Sequence, residues 1–387
     1  MDAIRDGEGA EAQAWAFTLA APERRLSTQG LARRLEPGAA DTLATRVRDF
    51  FQDVEGAPLL VGALPFDRQA DDFLFQPAVV REAPVASPAA APAGGWRVTP
   101  QPSREAYKQA VARALAVLAD NPDGIEKVVL SRSLALESDA PIDAEAVAAR
   151  LGGDPGAVRF STPVGRGADG AMQRLIGASP ELLVSRAGET VKSHPLAGSA
   201  RRSDDAEQDE AVRAGLVQSK KEQREHALVV ESILDILAPY CRDLSAPRAP
   251  DLIATRTMWH LGTHIEGRLK RPDAVSSAEL AAALHPTPAV AGSPRDAATR
   301  LIHELEGYDR GFYAGTVGWT DSAGDGVWYL SLRCAEVVGR HARLYAGAGI
   351  VEGSVPEDEA AETSAKFQAM LRAFGIDETG RRLDHRG

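Results

Sequence analysis

Glu126–Leu136 reads EKVVLSRSLAL. Val128, Leu130, Leu134 and Leu136 fall on one face, and Lys127, Val129, Ser131 and Ser133 on the other. A period of two is that of a strand, here one with a polar face. Gly326–Val337 alternates in the same way. It sets Trp328, Leu330, Leu332 and Cys334 on one side, and Tyr329, Ser331 and Arg333 on the other. The apolar run Pro58–Phe66, PLLVGALPF, fits a buried strand that ends at Pro65. Helical stretches lie between the strands. Pro102–Asn121 starts at Ser103 and is stopped by Asn121-Pro122. Asp204–Tyr240 reads as one long helix broken at Pro239. Ser293–Glu306 has Asp296 three residues after Ser293, with Pro294 at the first helical position; Ser354–Phe374 has a capping box from Ser354 and Glu357. Strands and helices mix without a βαβα rhythm. That favours α+β, or an antiparallel-rich α/β fold, over a doubly wound parallel sheet. No GxGxxG follows a strand, so a nicotinamide cofactor is not indicated.

The chain has 387 residues, enough for two or three domains or one large α/β unit. Its net charge of −11 repels phosphate backbones and anionic lipid, which argues against nucleic-acid and membrane roles. An anionic substrate would therefore need a local cluster of positive charge or a metal. Cys241 and Cys334 are far apart and lack CxxC spacing, so neither a disulfide framework nor a structural zinc site is expected. The acidic stretch Met1–Phe17 is not a signal peptide, and no apolar run reaches membrane-spanning length. A reducing cytoplasm is the expected compartment. Ala83–Gly95, APVASPAAAPAGG, cannot form a packed element and reads as a loop or linker. The expected organisation is an N-terminal part over 1–100, a catalytic region over 101–376 and a short tail over 377–387.

Four segments carry candidate chemistry. Lys127 opens a strand on its polar face; such a lysine is commonly solvated, but with a lowered pKa it acts as a general base. Glu181 precedes Leu182, Leu183 and Val184. It is either an exposed edge glutamate or an acid whose pKa the apolar setting raises. Glu225 and His226 are adjacent, so they are not the i, i+4 pair of a zinc protease. With Glu222 and Arg224, Glu225 reads most simply as a surface charge cluster. Near the C-terminus, Gly347-Ala348-Gly349 lets backbone approach a ligand. Glu362 and Lys366 stand at i, i+4, the spacing of an ordinary surface ion pair. Arg333, on a strand's polar face, can fork onto a carboxylate.

Taken in order, these segments resemble the chorismate-utilising enzymes, a family that includes anthranilate, aminodeoxychorismate, salicylate and isochorismate synthases. The matching stretches are KVVLSR (Lys127–Arg132), GASPELL (Gly177–Leu183), PLAGSARR (Pro195–Arg202) and KEQREHALVV (Lys221–Val230). They continue with WHLGTHIEG (Trp259–Gly267), HPTPAVAGSP (His285–Pro294), LRCAEV (Leu332–Val337), YAGAGIV (Tyr345–Val351) and ETSAKF (Glu362–Phe367). VGALPFD (Val61–Asp67) extends the match loosely into the first quarter. The resemblance implies one large fold in which two antiparallel-rich sheets pack face to face, with helices outside and the active site between them. The Ala83–Gly95 stretch is then an excursion rather than a boundary.

Within the family, enzymes that add water keep a lysine at the position of Lys127, where anthranilate synthases carry glutamine. PLAGS, with Ala197, replaces the PIKGT motif that holds a covalent lysine. HPTPAVAG and Cys334 point to isochorismate formation. The resemblance further implies Mg2+ on Glu225 and Glu362, Lys127 as base toward water attacking C2 of chorismate, and Glu181 as acid toward the hydroxyl leaving C4. Arg333, Gly347 and Gly349 would hold the enolpyruvyl carboxylate, with Lys366 adding positive charge. His260, Ala289 and Gly198 would shape the ring pocket. Chorismate is the implied small-molecule substrate and a monomer the implied state, with room for downstream enzymes that use isochorismate as partners.

Overall fold

The computed structural model describes residues 11–21, 24–52, 58–82, 89–92, 94–121, 123–152, 154 and 156–383. Lys127–Ser138 is a strand of 12 residues, and its first eight positions are buried on both faces. A strand's polar face is buried only when something polar packs against it. Here its neighbours are set by register. Gly292 and Ser293 pair with Val128 and Lys127. Along the other edge, Gly347, Gly349 and Ile350 of the strand His341–Ile350 pair with Ser131, Val129 and Val128. The backbone that brackets Lys127 is therefore rich in glycine on both sides.

From this strand a single path of antiparallel pairings runs through His341–Ile350, Cys334–Val338, Met172–Ser179, Val158–Arg166, Phe17–Ala20 and Arg25–Arg34. It continues through Phe73–Glu82, Leu59–Leu64, Thr316–Asp321, Gly326–Leu330, Leu182–Ala187, Thr190–His194, Ile265–Leu269 and Cys241–Ser245. With Trp96–Gln101 and Gly292–Ser293 this makes a 17-stranded hydrogen-bonded network. Val128 and Leu130 from its first half share one apolar core with Leu60, Val184, Val317 and Leu330 from its second half. The antiparallel, two-layer expectation takes this form: one long ribbon whose halves share a core. A separate sheet of Leu196–Arg201, Met258–Gly262 and Asp251–Ala254 lies beside it. The helix Lys220–Leu237 packs on that small sheet, and the helix Pro356–Phe374 packs on His341–Ile350.

Several boundaries follow the sequence. The helix Arg104–Asp120 is capped by Ser103, whose hydroxyl accepts from the Ala106 amide at 3.2 Å, and it ends at Asn121 in the left-handed region. Leu59–Leu64 is buried throughout, as expected. Others are corrected. Asp204–Tyr240 is not one helix but two, Ala206–Gln218 and Lys220–Leu237, because Ser219 adopts an extended conformation and caps the second. Ser293 does not cap a helix; it pairs with Lys127 in a strand, and the helix begins at Arg295. Ser354 is not an N-cap either, since the helix starts at Pro356 and the Ser354 hydroxyl accepts from the Val351 amide. Gly326–Val337 is not continuous. It divides into Gly326–Leu330 and Cys334–Val338, and Arg333 between them has φ 46°. The Ala83–Gly95 stretch falls partly outside the described residues. Of its described part, the carbonyls of Ala89 and Pro92 accept from Arg150 and Arg382.

Candidate active site

The break at Ser331–Arg333 lets one arginine leave the sheet and enter a cleft. That cleft, about 700 Å3 including its mouth, is lined by Glu181, Gly198, Glu225, His260, Ala289, Arg333, Gly347, Gly349, Glu362 and Lys366 among others. Of the 11 residues singled out from sequence, only Lys127 is not part of the lining. It stands directly behind: its Nζ is fully buried and lies 3.0 Å from Glu225 Oε1. A Cβ on Gly349 would come within 2.3 Å of Glu225 Oε1 and 2.9 Å of Lys127 Cε, so this pair needs glycine beside it. Gly198, at φ +76°, is a second such position, where a Cβ would meet the Glu222 carbonyl at 2.9 Å.

Glu181 follows Pro180 in the turn between two strands and is 3% exposed. Burial pushes its carboxyl up to about 8, although a backbone hydrogen bond from Leu196 and the charges of Lys127, Lys366 and Arg333 pull the other way. A buried acid that keeps its proton at neutral pH can donate it. His260 is held well below the usual imidazole range by burial and by Arg333 and Lys366, so it is neutral. Arg333 has only donors, so Arg333 Nη2 donates to His260 Nε2 at 3.4 Å and the imidazole proton sits on Nδ1. His226, also buried, bridges Ala197 O at 3.1 Å and Thr263 Oγ1 at 2.7 Å, a structural role.

The acidic residues come from two helices. Glu222 and Glu225 lie i, i+3 on one, and Glu359 and Glu362 lie i, i+3 on the other. Ser199 joins them. Its amide donates to Glu222 Oε2 at 3.0 Å and its hydroxyl to Glu362 Oε1 at 3.1 Å. Each carboxylate also meets an ammonium group. Lys127 pairs with Glu225; Lys366 with Glu362 at 2.6 Å; and Lys221 with Glu359 at 2.8 Å and Glu222 at 3.2 Å. Four carboxylates against three lysines leave one formal negative charge. Burial and then the neighbouring Glu225 push Glu222 up; burial and then Glu362 push Glu359 up to about 7. Burial raises Glu225 too, but Lys127, with Lys221 and Lys366 adding to it, holds this carboxyl below the usual range. The reading of Glu225 as a surface charge is thus corrected, because it is Arg224 that faces outward, toward Glu126 and Glu352.

Among the described residues, no group of three or more His, Cys, Asp or Glu is arranged to hold an ion as it stands. The donor chemistry nonetheless fits Mg2+. All four groups are hard carboxylate oxygens, and two of them are pushed up by burial and by a neighbouring carboxylate. Sequence reading gave Glu222, Glu359 and Lys221 no site role, although the repeated E-x-x-E spacing on both helices was visible. It also missed Tyr313 and Tyr345, whose rings stack 4.8 Å apart in the cleft wall. Behind that wall, buried Arg310 pairs with Glu306 and donates to Val129 O at 2.7 Å and Val290 O at 2.8 Å. It thereby ties the Lys127 strand to the Ala289 loop.

The family model for chorismate binding enzymes matches residues 78–375. The chain is 45% identical over 383 residues to isochorismate synthase DhbC of Bacillus subtilis, covering 95% of each chain. It is 37% identical over 382 residues to isochorismate synthase EntC of Escherichia coli, covering 93% of this chain and 95% of that one. It is also similar to the crystal structure of a Bacillus anthracis protein assigned as the 2,3-dihydroxybenzoate-specific isochorismate synthase DhbC. There the TM-score is 0.88 at 39% identity, covering 96% of this chain and all of the other.

Proposed function

This chain belongs to the chorismate binding enzyme family, and from that premise we propose that it is an isochorismate synthase whose buried lysine and buried protonated glutamate move a hydroxyl group around the chorismate ring. The reaction is an isomerisation: one water enters and one leaves. Lys127, as the free amine, takes a proton from water as its oxygen bonds to C2. The ring double bond shifts, and the C4 hydroxyl departs as water with the proton of Glu181. The observation that carries this reading is the juxtaposition at one cleft of a fully buried lysine, close enough to act on Glu181, and a carboxyl that burial keeps protonated to about pH 8.

Arg333 and the backbone around Gly347 and Gly349 would hold the enolpyruvyl carboxylate, with Lys366 adding charge and neutral His260, Ala289 and Gly198 bounding the ring. Glu225 and Glu362, with Glu222 and Glu359, would hold Mg2+. When bound, such an ion fixes the ring carboxylate and draws electron density from the ring. The reading includes action as a monomer in the cytoplasm, upstream of enzymes that consume isochorismate. No helix among the described residues is long and apolar enough to cross a membrane.

Chromatography of products from purified protein, chorismate and Mg2+ tests the reading. The expected product is isochorismate without pyruvate; salicylate together with pyruvate would replace it by a synthase that goes on to eliminate pyruvate. Glu362→Ala tests the metal assignment. Mg2+ affinity by calorimetry should fall by roughly tenfold or more, with little change in Tm, since the Glu362 side chain is partly exposed. An unchanged titration would remove Glu362 from the ligand set.

A further inference from the structure

We infer that Lys221 is a built-in counter-cation that a divalent metal displaces from Glu222 and Glu359. The inference rests on the reading that these carboxylates hold Mg2+. Of the three lysines at the cluster, Lys366 lines the cleft and Lys127 lies behind its wall, whereas Lys221 is neither in the lining nor close to Glu181. Among the described residues its ion pairs are with Glu359 at 2.8 Å and Glu222 at 3.2 Å, one carboxylate from each helix. It therefore spans the same gap that a shared metal would span.

Its place on the helix is otherwise unfavourable. Lys221 is in the first turn of Lys220–Leu237, where the helix dipole disfavours a cation. A lysine kept there is held by the carboxylates rather than by the helix. Its ammonium is a compact point charge on a flexible stem, about 28% exposed, and can swing outward when a doubly charged ion arrives. With the lysine in place, the buried glutamates of the facing helices are compensated before metal binds. With the metal in place, the ammonium becomes surplus positive charge. Lys221 thus holds the ligands in position and weakens the ion's grip.

The test compares Lys221→Met, Lys221→Arg and the unaltered protein at pH 8.5, where protons do not take the lysine's place. Mg2+ is titrated by calorimetry and Mn2+ by electron paramagnetic resonance, with Tm measured with and without Mg2+. Lys221→Met should bind Mg2+ about tenfold more tightly, as removal of one nearby positive charge requires. It should also lose Tm mainly in the metal-free state, so that Mg2+ raises its Tm by more than it raises that of the unaltered protein. Lys221→Arg, which keeps the charge, should stay close to the unaltered affinity. A purely structural tie between helices would instead lower Tm equally with and without metal and leave the affinity unchanged or weaker; that result overturns the inference while leaving the Mg2+ reading intact. Absence of Mg2+ and Mn2+ binding to the unaltered protein would overturn both.

Discussion

Lys127→Gln should lower isochorismate formation by roughly 10³-fold, the scale on which loss of a positioned general base acts, while chorismate and Mg2+ still bind. Glutamine approximates the length of the side chain and keeps a donor toward Glu225, but it cannot take a proton from water. Lys127 is fully buried and does not itself line the cleft, so its loss removes little direct contact with a ligand. The cost to folding falls on Glu225, which loses the cation 3.0 Å away and is left buried. A bound divalent ion supplies that missing charge. The variant should therefore have a lower Tm without Mg2+ and recover much of the loss with it. Stopped-time chromatography gives the rate, and calorimetry gives the two affinities. A variant that retains full turnover would end the lysine-base assignment, and one that no longer binds chorismate would recast Lys127 as a substrate contact.

That the sequence pointed to Lys127 depends on a local signal. A period of two, with a charge at the first position, is legible without any knowledge of what lies opposite. The same is true of the helix after Ser103, where both caps are short-range hydrogen bonds. Several of the errors involve a residue whose partner is distant in sequence. Ser293 looks like a helix cap until its strand partner Lys127, 166 positions away, claims it. Ser219 is different: Glu222 three residues on completes a capping box and Gly215 precedes it, a local signal that the one-helix reading passed over. The alternation through Leu332 and Cys334 conceals the left-handed turn at Arg333, which exists because the strand must change partners, from Leu182–Ala187 to Met172–Ser179. Glu222 and Glu359 escaped because a carboxylate on a charged helix resembles any other until the facing helix is known. Ten of the 11 site residues nevertheless line one cleft, because the ordered family motifs carried long-range information that periodicity could not.

The charge arrangement explains how an acidic protein binds a dianion. The chain's net charge is −11, yet Arg333, Lys366 and Lys127 all act on the buried Glu181. Positive charge is thus concentrated at the cleft, and the four glutamates that offset it stand together on two helices, where a divalent metal would neutralise half of their charge.

The pH dependence of turnover should show an alkaline limb near 8 that belongs to Glu181. The sign follows from the direction of the shift. Burial raises the carboxyl from 4.5 to about 8, so below that pH Glu181 carries the proton that the leaving hydroxyl needs, and above it the proton is gone. Activity is therefore retained on the acid side of this group and lost as pH rises through it. Stability moves in the same sense. Between about 4.5 and about 8 the folded state binds a proton that the unfolded chain releases, so the stability contributed by Glu181 declines as pH rises across that window. Glu181→Gln should lower the rate by roughly 10²–10⁴-fold, and its residual activity should no longer fall near pH 8. Glutamine keeps the shape and a donor while removing the titration, so the missing limb separates a lost acid from damaged packing. Rates measured from pH 6 to 9.5 at saturating chorismate and Mg2+ decide the matter: if the variant keeps the same alkaline limb, the limb belongs to another group and Glu181 is not the acid.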